Sequence, residues 1–203
     1  KVVALVTDMD QPLGRAVGNA LEVIECLEVL NGGGPSDVVT LTIELTARML
    51  VIGKAANDIE SARAVARQRL ASGHALERFL QMVTLHGGNT AALEKPGRLS
   101  RAPITQPFPA GDAGYVAMAD ADAIGRACLA LGAGRRKTGD TVNHAVGISG
   151  LRKVGEIIAK GDPFAIVHAG SSSELREAMA LLESAFRVSS DMPALPRLIL
   201  AEV

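Results

Sequence analysis

The stretch TDMDQPLGRAVGNALEVIE, residues 7–25, crowds carboxylates, Pro and Gly into the junction between an apolar strand and a helix. Leu13, Gly14, Arg15 and Ala16 form a tight turn whose carbonyls need not all enter the helical ladder, and Glu25 projects from the helix back toward it. Backbone oxygens joined by a single carboxylate suit a hard cation, because oxygen dipoles and one charge replace its water. Glu22, Glu25 and Glu28 are also spaced as an ordinary solvated helix stripe, which is the reading that residue types alone favour. Asp8 and Asp10 could serve as a carboxylate pair for proton transfer, but two acids in a turn more often hydrogen-bond the backbone.

Other candidates carry less. Gly132-Ala133-Gly134-Arg135-Arg136 has the composition of an anion nest, yet it follows a helix instead of leading one, so a helix C-cap and surface turn is favoured. His74, His86, His144 and His168 show no metal-ligand spacing. Cys26 and Cys128 form no CxxC and sit among apolar residues, as buried free thiols do in a reducing cytosol. Gly-x-Ser-x-Gly, Walker and zinc signatures are absent from the sequence.

The elements that must position these residues follow from periodicity. VVALV at 2–6 reads as a strand buried on both faces of a parallel sheet. Helices follow over about 16–30, from a Ser36 cap to Gly53, from an Asn57-Asp58-Ile59-Glu60 capping box, and over about 74–85 before Gly87-Gly88. Pro96, Pro103, Pro107 and Pro109 mark residues 92–112 as an extended linker. Beyond it, short strands are expected at 115–119, 141–148, 155–162, 163–169 and 198–203. Two helices interrupt them: one capped by Asp120 or Asp122 and reaching Leu131, the other running from Ser171 to about Val188. The fold class expected is α/β followed by α+β.

Composition sets bounds on partners. The chain has 203 residues, 48% of them hydrophobic but only 2% aromatic, so its core must be aliphatic, which suits helices packed on sheets. A formal net charge of −1 gives no field for nucleic acid or an anionic membrane, leaving small molecules or other subunits as partners. No apolar run approaches the ~20 residues of a membrane helix. The chain opens on Lys1 directly into a strand, as a chain cut from something longer does.

TDMDQPLGRAVGNALEVIE closely resembles a mid-chain segment of the pyrimidine-nucleoside and thymidine phosphorylases. DAGYVAMADADAIGRACLALGAGRRKTGDTVNHAVGI and KVGEIIAKGDPFAIVHA resemble the same family in the same order. The resemblance covers essentially the whole chain and identifies it as the carboxyl-terminal half of such an enzyme. It implies reversible phosphorolysis of a pyrimidine (deoxy)ribonucleoside to free base and (deoxy)ribose 1-phosphate, with inorganic phosphate as co-substrate and no organic cofactor. It further implies a cytoplasmic, homodimeric parent.

In the family, the phosphate-binding Lys-x-Ser and Gly-rich segments, the catalytic His and the base-gripping Arg, Ser and Lys belong to the amino-terminal half. The resemblance therefore assigns no catalytic and no substrate-binding residue here, and implies that the chain is inactive alone. What it carries over is a structural potassium site made from the carbonyls of Leu13 and Ala16 and the carboxylate of Glu25, tied to a phosphate-binding loop supplied by the other half. It divides the chain into 1–91, the end of the phosphorylase α/β domain; a 92–112 linker; and 113–203, a barrel-sandwich-like carboxyl-terminal module similar to biotinyl and lipoyl carriers. Two other readings are a non-catalytic assembly or carrier-like module and a phosphoribosyltransferase relative. The first lacks a Lys flanked by Met or Asp at a turn, and the DMDQPLG turn and carrier-like tail argue against the second.

Overall fold

The computed structural model describes residues 2–93 and 99–203, which divide into two compact units. The division falls inside helix α1 (Asn19–Leu30), between Val23 and Ile24.

The first unit is mostly helical. Besides the second half of α1 it contains β1 (Leu5–Thr7), α2 (Ser36–Ile52), α3 (Ile59–Ala71), α4 (His74–Leu85), a single turn α5 (Thr90–Leu93) and β8 (Ile199–Glu202). Ile43 and Ala47 of α2 and Ala62 and Ala66 of α3 are buried where these two helices pack, and the small side chains let the backbones approach. The α2 start departs from expectation. Ser36 is the first helical residue, Pro35 precedes it in an extended conformation, and no side chain caps the end. The capping box of α3 is likewise shifted by one residue: Asp58 accepts from Ser61 N–H at 2.8 Å, and Ser61 Oγ, not Glu60, faces the Asp58 backbone. Either frame offers a polar pair, and the β-conformation of Asp58 decides between them.

The expected parallel strand is corrected. Among the described residues β1 pairs with β8, antiparallel, with Leu5 opposite Glu202 and Val6 opposite Ala201. An aliphatic run is buried on both faces only where layers cover both, and here Val2 is 88% and Val6 47% exposed.

The second unit, residues 9–23 and 99–196, is α+β. One antiparallel sheet has the order β2-β6-β4, with β2 at Ile104–Pro109, β6 at Pro163–Ala169 and β4 at Gly147–Ser149. The other has the order β5-β3-β7, with β5 at Ile157–Ile158, β3 at Gly114–Ala119 and β7 at Phe186–Ser189. Helices α6 (Ala121–Ala130) and α7 (Ser172–Leu182) pack on each other, and α7 also packs on β6. Ile124, Leu131, Val146, Ile148, Val167 and Leu182 are fully buried at the centre. The expectation of α+β here holds. The two sheets are separate three-stranded sheets and do not close into a barrel.

Several boundaries differ for identifiable reasons. Part of the stretch read as a linker forms β2, because β2 lies at a sheet edge, where Pro107 and Pro109 remove no essential ladder donor; Pro96 and Gly97 lie outside the described residues. Strand 141–148 reduces to its last two residues, continued to Ser149: Asn143 takes the Ala145 N–H on its side chain, and local bonds of this kind compete with a ladder. Strand 155–162 reduces to β5 because Gly155 and Gly161 adopt φ of +91° and +89° on either side of it. Helix α7 stops at Leu182 instead of Val188, since buried Phe186 and then Val188 pair with Ala119 and Val116 of β3. Asp120 caps α6, accepting from Ala123 N–H at 2.7 Å. Ser171 caps α7.

Candidate cation-binding turn

The turn of residues 9–18 belongs to the second unit and is held by groups more than a hundred residues away in sequence. The Asp10 carbonyl accepts from Ala121 N–H at 3.0 Å, and Gln11 Oε1 accepts from Val154 N–H at 3.3 Å. Lys153 Nζ donates to the carbonyls of Pro12 and Gly14, the latter at 3.0 Å. Gly14 sits at φ +71°, the left-handed region that a glycine enters without strain. The Arg15 carbonyl accepts from Leu151 N–H at 3.0 Å, while its guanidinium donates to Leu151 O at 2.9 Å and forms a forked ion pair with Glu156. Burial, the largest single effect, would raise the Glu156 carboxyl, but the Arg15 hydrogen bonds, the Lys153 backbone N–H and the charges of Arg15 and Arg152 together outweigh it, and the net shift is downward.

Beyond the turn, Val17 and Ile148 exchange both backbone hydrogen bonds at 2.8 Å. Gly18 N–H donates to Glu22 Oε1 at 2.8 Å, satisfying one amide near the start of α1.

The carbonyls of Pro12, Gly14, Arg15, Val17 and Gly18 are all taken. Among the described residues no donor reaches the carbonyls of Leu13 and Ala16. These are the two oxygens that the family resemblance assigns to a cation, and a carbonyl dipole with no donor is the kind of group a hard cation takes. Leu13 is exposed at its side chain and Ala16 is buried. Glu25 is half-buried on α1 and Glu22 and Glu28 are exposed. No group of three or more His, Cys, Asp or Glu side chains that could hold a metal occurs among the described residues, so a site built mainly from carboxylates or imidazoles has no candidate there.

The remaining sequence candidates are structural. Gly132 adopts φ +88° directly after α6, as a helix C-cap does, and Arg136 pairs with Glu177. His144 offers its carbonyl to Ala20 N–H, and His74 Nδ1 lies 2.7 Å from Ser72 Oγ. His168 Nε2 lies 2.8 Å from Ser149 Oγ, and burial lowers its pKa. Cys128 is buried as expected, with burial pushing its thiol up to about 12, whereas Cys26 is exposed, because α1 turns it away from the side that carries Leu27 and Val29 into the core. Sequence reasoning did not find Lys153, Leu151 or Glu156 as partners of the turn; at such separations no periodicity or motif signals the contact.

A model of the pyrimidine nucleoside phosphorylase C-terminal domain matches residues 115–189. With that match and the relatives below, the chain belongs to the pyrimidine-nucleoside phosphorylase family. A thymidine phosphorylase of Agrobacterium fabrum is 39% identical over 202 residues, covering 98% of this chain and 46% of its own length. A pyrimidine-nucleoside phosphorylase of Bacillus subtilis is 37% identical over 199 residues, with the same coverages of 98% and 46%. A thymidine phosphorylase of Rhizobium meliloti is 40% identical over 196 residues, 94% of this chain and 44% of its own length. The chain thus spans about half the length of the curated relatives it matches. Among the described residues no helix is long and apolar enough to cross a membrane.

Proposed function

We propose that the chain is the carboxyl-terminal part of a cytoplasmic, homodimeric pentosyltransferase that phosphorolyses pyrimidine nucleosides. A phosphate oxygen forms a bond to the anomeric carbon, the bond from that carbon to the base nitrogen breaks, and its electron pair leaves with the base. Phosphate and the departing base are both anionic around a sugar of oxocarbenium character, so the work is positioning and charge stabilisation. The observation that carries this reading is alignment with named phosphorylases over 98% of the chain.

This chain contributes scaffold, not reacting groups. Residues 1–91 complete the phosphorylase α/β domain, and 113–203, together with β2 from the 92–112 stretch, form the family's carboxyl-terminal module. The Leu13 and Ala16 carbonyls with the Glu25 carboxylate bind potassium. When bound, the ion supplies a fixed positive charge beside the phosphate-binding loop of the other half. The two unused carbonyls support this assignment. No organic cofactor takes part.

The test is phosphate-dependent release of uracil from uridine and thymine from thymidine, on a sample of verified intact mass. The chain alone gives no release, and release appears when it is joined to the amino-terminal half of the Agrobacterium relative. Turnover by the 21.1 kDa chain alone overturns its scaffold role. A folded chimera that is silent with both nucleosides overturns the phosphorylase reading.

A further inference from the structure

Only four phenylalanines occur in the chain, and three of them meet at one place. Phe108 of β2 and Phe164 of β6 come from one sheet of the second unit, and Phe186 of β7 comes from the other. The Phe164 and Phe186 rings stack with centroids 4.6 Å apart, and Phe108 stands tilted to them at 6.2 and 6.0 Å. The cluster does not close on itself: it lines a cavity of about 230 Å3 whose walls also include Asp112 and Glu183. β2 and β7 are edge strands, so the cavity lies where neither sheet continues. Phe164 and Phe186 are buried and Phe108 is half-buried, which makes the floor aromatic, while Asp112 and Glu183 are exposed at the rim. Neither carboxylate is engaged by a cation or a hydrogen-bond donor among the described residues, and no basic side chain lines the cavity.

We propose that this cavity is a binding site for a small alkylammonium ion. Phenyl rings attract a cation through their quadrupole, and N-alkyl groups lie against them without losing the charge that the two rim carboxylates attract. The same carboxylates repel an anion and give a neutral apolar molecule nothing. A metal ion would have to exchange water for ring carbon, and no group of three or more His, Cys, Asp or Glu side chains that could hold one occurs among the described residues. The volume lies below the roughly 300–1,000 Å3 of cavities that take drug-sized molecules, so the ligand is small. Every lining residue belongs to the second unit, so the inference needs no group from outside the chain and does not depend on the phosphorylase reading.

The test is calorimetric titration of the full 203-residue chain, at constant ionic strength, with choline and with 3,3-dimethyl-1-butanol, in which carbon replaces the charged nitrogen. Choline is expected to bind at one site per chain, with its N-methyl proton resonances moved upfield by the rings, and the neutral isostere at least about tenfold more weakly. Asp112→Asn combined with Glu183→Gln, at two exposed positions, weakens choline about fivefold, and Phe108→Leu does so by a similar factor. Asp191→Asn, at an exposed carboxylate that does not line the cavity, changes nothing. Isostere binding within about twofold of choline marks a plain apolar cavity and overturns the cationic class of ligand. Equal losses in the Asp191 variant and the double carboxylate variant mark unspecific surface charge and overturn the site. A folded wild-type chain that shows no saturable choline binding overturns it without any variant.

Discussion

At the scale of single residues, the clearest electrostatic feature is Glu44 in the helical unit. Arg63 donates to both of its oxygens at 2.7 and 2.8 Å, and Arg48 adds a further bond at 2.6 Å. The Arg63 hydrogen bonds hold the Glu44 carboxyl down at about 2, against a burial effect that would raise it, with Arg48 adding to the depression. Glu60 pairs with Arg63 and Glu202 with Arg48, so the cluster is a network and not an isolated pair. Because the folded pKa lies below the ordinary value of 4.5, the stability this group confers is present above that value and is lost as pH falls toward about 2. Glu44→Gln is expected to lower the melting temperature by about 2–4 °C at neutral pH and to flatten its dependence between those limits, followed by thermal melts across pH. The cysteines make a second prediction. At pH 8 one equivalent of a thiol reagent reacts, at exposed Cys26, while Cys128 reacts only on unfolding, since burial holds its thiol near 12; peptide mapping of the labelled chain distinguishes them.

At the scale of elements, the turn depends on how closely its exit strand approaches β4. Val17 and Ile148 form a bridge flanked by Gly18 at φ +129° and Gly147 at φ +150°. A Cβ on Gly147 would lie 2.4 Å from Val17 O and 3.1 Å from Gly18 Cα, and one on Gly18 would lie 2.7 Å from Val146 O. The contact is backbone against backbone, so no side chain can swing aside. Gly147→Ala is expected to cost about 2–4 kcal/mol, measured by denaturant unfolding, whereas Gly139→Ala, with nothing within 4 Å of the added carbon, costs less despite its positive φ. The Ser171 cap, the choice of Asp120 or Asp122 at the start of α6, of which Asp120 is the cap, and the four long helices were legible because a cap and a 3.6-residue period are local properties. β7 was not, because FRVS continues the apolar pattern of α7 and becomes a strand through the free edge of β3. β2 was hidden by its prolines, which are tolerated because of where the strand lies in its sheet.

At the scale of the whole molecule, the second unit is not a continuous segment: residues 9–23 contribute Val17 to its core and the turn to its hydrogen bonding. A fragment of residues 100–203 loses the Ile148 bridge, the carbonyl partners of Lys153 and the Arg15 partner of Glu156, and is expected to melt at least about 10 °C below the same fragment supplied with residues 9–23. A free-standing carrier-like module would show no such dependence, so circular dichroism melts of the two separate that alternative from the phosphorylase scaffold. By itself the sequence determined the family, through an ordered series of motifs along nearly its full length, and it determined the helices, whose apolar spacing and end signals lie within one or two turns of chain. The tertiary structure decided which residues hold the turn. Leu13 and Ala16 can be named from sequence likeness, but that the carbonyls of Pro12, Gly14 and Arg15 between and beside them are taken is the work of Lys153 and Leu151, about 140 residues further on. Such contacts are set by how sheets and helices pack, and no local pattern encodes them.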